Sequence, residues 1–332
     1  MQVIIASLII VFCAAASDWK VRSDIPYHVY GHAAAAMDGK IHILGGCHTE
    51  NWEKPTAAHQ VYDPVHDSWG KKEDLPVAVA WSMPAVWNGR IYLFGGGYNK
   101  PGLGITSSSD AWVYDPQVDK WQPVRGLPEP RMNGFAAADG NYIYISLGYD
   151  RRGGADDGVK EEFRSTYRYD PNADAYTRLA DAPEPGCYVA SGTYKRKIYA
   201  VPGSNREYGF HQDYVWADGA LVYDPGTNHW EKINTPRVAK RVFFLTQCSA
   251  SVIADGKLWV VGGMGDMRTK TTKTEYFDIE KRVFVPGPDI AFARCCGGGG
   301  IVGGILAIAG GFVDGKGLGT PALPTWTFDT RQ

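Results

Sequence analysis

The feature that most constrains this chain is a motif that returns six times. A polar turn, a short apolar stretch and a pair of small residues occur as DGKIHILGG (Asp38 to Gly46), NGRIYLFGG (Asn88 to Gly96) and DGKLWVVGG (Asp255 to Gly263). Three degraded copies complete the series: NYIYISLG ending at Gly148, KRKIYAVPG ending at Gly203 and GGILAIAGG ending at Gly311. The first doublet positions, 45, 95, 147, 202, 262 and 310, lie 48 to 60 residues apart. Such a period marks an array of supersecondary units, each too small to bury its own apolar face.

Each doublet is followed by a variable loop and an aromatic–Asp pair, namely Tyr62-Asp63, Tyr114-Asp115, Tyr169-Asp170, Tyr223-Asp224, Phe277-Asp278 and Phe328-Asp329. Seven residues past the first five aromatics stands another: Trp69, Trp121, Tyr176, Trp230 and Phe284. For the sixth, that position would fall beyond Gln332. Asp18-Trp19 through Pro26 matches Asp67-Ser-Trp69 through Pro76 instead, which predicts that the N-terminal segment supplies the outer strand of the last unit. A closed ring needs such a latch, because an unpaired sheet edge at the seam invites aggregation. The expected fold is all-β: a six-bladed propeller.

With doublet, Tyr-Asp and Trp repeated at fixed spacing, the chain resembles the kelch family of β-propellers over nearly its whole length. The resemblance implies blade-building roles for the repeated residues and an interaction platform as the commonest use of the fold. Leu147-Gly148 and Pro202-Gly203 depart from the doublet. Copper-radical oxidases with a related propeller require a further domain and a Tyr–Cys cross-link, for which this chain has no room. The Glu-x3-Asp-x3-His triad of plant specifier proteins does not occur. A bacterial sialic acid mutarotase is similar in size; chemistry of that kind would place Glu207 or His211 as acid and base beside Arg206, Arg241 or Arg294.

Residues 3–16 (VIIASLIIVFCAAA) are shorter than the ~20 residues a membrane helix needs and end in small residues. We read 1–16 as a secretory signal and 17–332 as one propeller, giving a secreted or extracellular protein, periplasmic if bacterial. The 34 Lys+Arg balance 36 Asp+Glu, for a net charge of −2, which provides no global footprint for nucleic acid. No segment is expected to span a membrane, and the expected state is a monomer without a cofactor.

Function is expected in what does not repeat. The loops after the doublets and the connections between blades open on one face, the loop face. All cysteines past the signal, Cys47, Cys187, Cys248, Cys295 and Cys296, map there. With His48, four of them (Cys47, Cys248, Cys295, Cys296) are candidates for a soft-metal or redox site; inert buried thiols and a disulfide, including a vicinal one at Cys295-Cys296, are the other readings. Arg131, Arg206, Arg241 and Arg294 are candidates for anion recognition, and Trp52 and Tyr188 for contact with a sugar face or a protein. The expected partner is a protein or glycan held at the loop face; the alternative is a small-molecule or sugar-acid enzyme, mutarotase-like, with Glu207 and His211 at the channel mouth.

Overall fold

The computed structural model describes residues 18–48, 54–153, 159–204, 217–239, 246–264, 269–313, 320–321 and 324–332. Among them the six repeats form six four-stranded antiparallel sheets. Blade 1 runs through Ala33–Met37, Lys40–Leu44, His59–Asp63 and Ser68–Lys71, and blade 2 through Met83–Trp87, Arg90–Phe94, Ala111–Asp115 and Lys120–Val124. Blades 3 and 4 begin with Phe135–Ala138 and Ala190–Tyr194, blades 5 and 6 with Ile253–Ala254 and Gly298–Val302. These inner strands touch in succession from blade 6 through blades 1, 2, 3, 4 and 5, which arranges them around a central channel. The architecture is a six-bladed β-propeller.

The predicted latch is present. Lys20–Asp24 pairs antiparallel with Pro324–Asp329, with Lys20 opposite Thr327 and Val21 opposite Trp326, so the N-terminal strand is the outer strand of blade 6. Trp19 is buried against Phe328, with ring centroids 5.4 Å apart.

The repeated residues explain themselves as ties between neighbouring blades. Each motif tyrosine donates from its hydroxyl to the turn residue five positions on: Tyr62 to Asp67, Tyr114 to Asp119, Tyr169 to Asp174 and Tyr223 to Asn228, at 2.6–2.8 Å. Those turn residues have φ near +50°, a region that Asn and Asp tolerate best among non-glycine residues. The same oxygens accept backbone N–H groups from the preceding blade's exit, at Ser23, Glu73, Arg125 and Ala180. The second aromatic makes the next tie. Trp19, Trp69, Trp121 and Trp230 donate their indole N–H to the carbonyls of Pro288, Ser23, Glu73 and Ala180, and Tyr176 donates its hydroxyl to that of Arg125.

The doublet glycines are required by close approach. A Cβ on Gly45 would sit 2.2 Å from the Val79 carbonyl, and one on Gly95 2.3 Å from that of Arg131, each belonging to the connection that enters the next blade. Leu147, which replaces the first glycine in blade 3, keeps the left-handed backbone at φ 61° and buries its side chain completely, so the departure alters the residue without altering the path. Between sheets the core is apolar. Met83, Ala85 and Phe94 of blade 2 pack on Ile143, Ile145 and Tyr169 of blade 3, each large side chain contributing about 1.5–3 kcal/mol on burial.

Candidate functional site

Several loops expected on the variable face are short sheets of their own. Gly97–Lys100 pairs with Gly104–Ser107, Tyr149–Arg151 with Val159–Glu162, Val29–Tyr30 with Cys47–His48, and Arg294–Cys295 with Phe312–Val313. They raise a rim around the channel.

At the centre of that rim lies a ring that the sequence reading did not identify. Gly31, Trp81, Asn133, Tyr188, Cys248 and Cys296, one per blade, all have φ between 51° and 61°. Each stands fourteen residues ahead of its blade's first doublet position, but the residue types at that offset share no chemistry that marks them in the sequence. Their backbones join head to tail: Gly31 N–H donates to Cys296 O, Trp81 to Gly31, Asn133 to Trp81 and Tyr188 to Asn133, at 2.6–3.1 Å. Blade 5 behaves differently. Its inner strand is short, and residues 246–251 cross the channel to pair with blade 1, where Ala34 N–H donates to Cys248 O and Ala250 N–H to Ala34 O. Gly299 N–H of blade 6 reaches Ser249 Oγ at 3.3 Å, and Val252 N–H reaches the Ser191 carbonyl of blade 4. This crossing fills the channel below the rim. The cavity on the opposite face, about 270 Å³, is lined by Ala36, Val86, Ala138, Thr193 and Ile301 of the inner strands.

The described candidate arginines do not converge on an anion. Arg131 is fully buried and donates to the carbonyls of Leu147 and Ser165 and to Glu129 Oε2 at 2.7 Å, with its guanidinium over the Phe163 ring. Arg294 is buried too, donating to Gly310 O and Pro324 O; burial lowers its pKa to about 10. Both are braces within a blade, and the expectation that they line the mouth is corrected by their burial. Arg206, Glu207, His211, Arg241 and Trp52 lie outside the described residues.

Tyr188 is 3% exposed and stacks edge-on with Tyr149, whose hydroxyl accepts from Asn133 Nδ2 at 3.0 Å. This places Tyr188 inside the rim and away from a partner. Cys47, Cys187, Cys248, Cys295 and Cys296 are all buried, and each stands as a thiol outside any disulfide. Burial pushes Cys47 and Cys248 up to about 12, so both are neutral at physiological pH. His48 packs on the Tyr27 ring at 4.8 Å. Among the described residues no group of three or more His, Cys, Asp or Glu is placed to hold a metal ion.

Among the described residues, open grooves lie to the side of the rim. Two grooves, about 570 and 560 Å³, flank the extended segment Lys54 to Ala58. The first is lined by Tyr27, Trp69, Gln60, Lys71 and Asp74, the second by Val77, Tyr98, Asn99 and Asp110. Tyr27 is 40% exposed, and its backbone is clamped to the Gln60 amide by two hydrogen bonds of 2.8 and 2.9 Å. The walls are therefore preformed and combine aromatic faces with polar groups.

Comparison with known proteins agrees with this architecture. A family model described as the Kelch motif matches residues 84–128. The chain is similar to Kelch-like protein terF of Aspergillus terreus, 26% identical over 64% of this chain and 45% of that protein. It is also similar to Kelch-like protein 23 of Homo sapiens, at 24% over 74% and 39%, and to Beta-scruin of Limulus polyphemus, at 23% over 76% and 21%. It thus spans less than half the length of these curated relatives. The solved structure of YjhT superposes with a TM-score of 0.70 at 15% identity, covering 92% of this chain and 96% of that one, a likeness of fold alone.

Proposed function

From the premise that this chain is a six-bladed kelch-repeat propeller, we propose that it is a recognition module that holds a protein or glycan partner in the two grooves flanking Lys54 to Ala58. The observation that carries this reading is the contrast between a channel filled by residues 246–251 and a pair of preformed aromatic grooves beside it. Tyrosine and tryptophan faces offer large apolar contact at low entropic cost, and Gln60, Lys71, Asp74 and Asn99 offer hydrogen bonds at their edges. In this reading residues 1–16 direct export, so that the partner is met outside the cytoplasm, and their removal leaves the latch at the new N-terminus. The sugar-acid enzyme reading would need a guanidinium presented to a carboxylate beside Glu207 or His211. Of the arginines that reading names, Arg294 is engaged by the Gly310 and Pro324 carbonyls, and Arg206 and Arg241 lie outside the described residues.

The test uses the full-length protein. Intrinsic fluorescence, to which Trp69 contributes, is followed while neutral and acidic oligosaccharides, and in parallel extended peptides, are titrated in. A saturable change abolished by Tyr27→Ala or Tyr98→Ala, with the thermal transition unmoved, supports the groove. Binding that survives when Tyr27→Ala and Tyr98→Ala are combined in one protein overturns it.

A further inference from the structure

Two adjacent thiols meet where the ring of blades closes. Cys295 sits in the two-residue strand Arg294–Cys295, and Cys296 occupies the blade 6 position of the backbone ring. Their Sγ atoms are 3.2 Å apart, roughly 1.2 Å beyond a disulfide bond length. Tyr30, Met264 and Phe312 pack around them. The other thiols differ: Cys47 is hydrogen-bonded to Tyr30, and Cys187 Sγ lies 3.3 Å from Ser204 Oγ. Cys248, at the ring position of blade 5, and Lys270 are the further titratable neighbours of Cys296.

We propose that Cys295 and Cys296 form an oxidisable dithiol site at the seam between blades 6 and 1, converted by a small peroxide into a vicinal disulfide. One thiol attacks the peroxide, breaking the O–O bond and becoming a sulfenic acid while one molecule of water, or of alcohol from an organic peroxide, departs. The neighbouring thiol then displaces hydroxide from that sulfur, which leaves with the second thiol's proton as water. Two electrons pass from the pair to the peroxide, and two thiols become one S–S bond. Burial disfavours the thiolate and selects small oxidants over bulky disulfides; adjacency makes the second step intramolecular and prevents over-oxidation. Because neighbouring Cα atoms are only ~3.8 Å apart, short of the usual 4.4–6.8 Å, the bond is strained and easily reopened by a thiol reductant. The strain has a defined target. Cys296 O accepts the Gly31 N–H at 2.7 Å, the one described link of the ring that joins blade 6 to blade 1.

The experiment treats the reduced full chain with hydrogen peroxide, then denatures, alkylates and digests it with trypsin. Cleavage after Arg294 places both cysteines in the peptide Cys295 to Lys316. The expected result is loss of both alkyl groups and of two hydrogens from that peptide, reversed by dithiothreitol, with Cys47 and Cys187 still fully alkylated and amide exchange at Gly31 severalfold faster. C248S should behave as the parent; C296S, its fold verified by thermal melting, should lose the reversible product and yield a dimedone adduct at Cys295. Unchanged alkylation, a cross-link to the Cys248 peptide, or irreversible over-oxidation would each overturn the proposal.

Discussion

The seam between blades 1 and 2 and the seam between blades 4 and 5 solve one problem with different chemistry. At the first, Trp121 donates its indole N–H to Glu73 O, which also accepts from His59 Nδ1 at 3.2 Å. That bond makes His59 Nε2 an acceptor, so His42 Nδ1 is the donor across the 2.8 Å contact between the two buried rings. At the second seam the equivalent aromatic is Phe284, which has no proton to donate. Arg237 lies over its ring at 5.1 Å, with Nε donating to Glu275 Oε1 at 2.8 Å and Nη1 to the Pro202 carbonyl. Glu275 also accepts from Val238 N–H. A seam built on the repeated indole tie and a pair of buried neutral histidines thus stands against one held by a buried charge pair outside the repeat. The repeat prescribes where blades must be joined, and the joining chemistry can change wherever a local substitute satisfies the same groups.

The largest effect should come from a seam that has no substitute. Deleting Asp18 to Pro26 removes the outer strand of blade 6 together with the Trp19 tie, and the protein should fail to give a cooperative thermal transition, whereas removing the exposed hairpin tip Pro101 to Leu103 should shift it by only a few degrees; equal losses would refute the latch. Next, Glu275→Ala leaves Arg237 buried without its counter-charge and should cost about 3–5 kcal/mol in denaturant unfolding. A loss below about 1 kcal/mol would mean the charge pair does not hold the seam.

Acid should weaken the seam that holds the two histidines before the one held by Arg237 and Glu275. Burial lowers the pKa of His42 to about 3 and of His59 to about 4, with positive neighbours adding to the effect at His42, and it lowers His32, near Arg294, to about 3. A histidine whose folded pKa lies below its unfolded value binds its proton more readily when unfolded. Its stabilising contribution is therefore intact above about pH 6.5 and is lost as pH falls from there towards 3–4, at about 2 kcal/mol for each ring by pH 5. Chemical denaturation at pH 7 and pH 5 reads this directly, and hydrogen exchange should show blades 1 and 2 loosening ahead of blades 4 and 5. The smallest effect belongs to Trp121→Phe, which installs the blade 5 residue in blade 2 and should cost about 1 kcal/mol, since Glu73 O keeps its bond to His59.

Much of this was legible because a repeat reports the same physical demand six times. The doublet at Gly45 and Gly95, the Tyr62–Asp67 turn and the Trp69 tie can each be read from spacing, since a steric or hydrogen-bonding requirement recurring in every blade leaves the same residue type at the same offset. The N-terminal strand could be assigned to blade 6 because Trp19 and Pro26 repeat the relation of Trp69 to Pro76. The ring through Gly31, Trp81, Asn133, Tyr188, Cys248 and Cys296 was not found, because its requirement falls on the backbone and its side chains share no chemistry.

The sequence by itself therefore determined the number of blades, their order, the closing strand and the residues that knit one blade to the next. Only the tertiary structure decided that residues 246–251 fill the channel, that Arg131 and Arg294 brace carbonyls, and that open grooves lie beside Lys54 to Ala58. The physical reason is that repetition encodes contacts made identically in every blade. Burial of a single arginine, or the path of one connection across the axis, depends on unlike segments far apart in the chain and leaves no periodic trace.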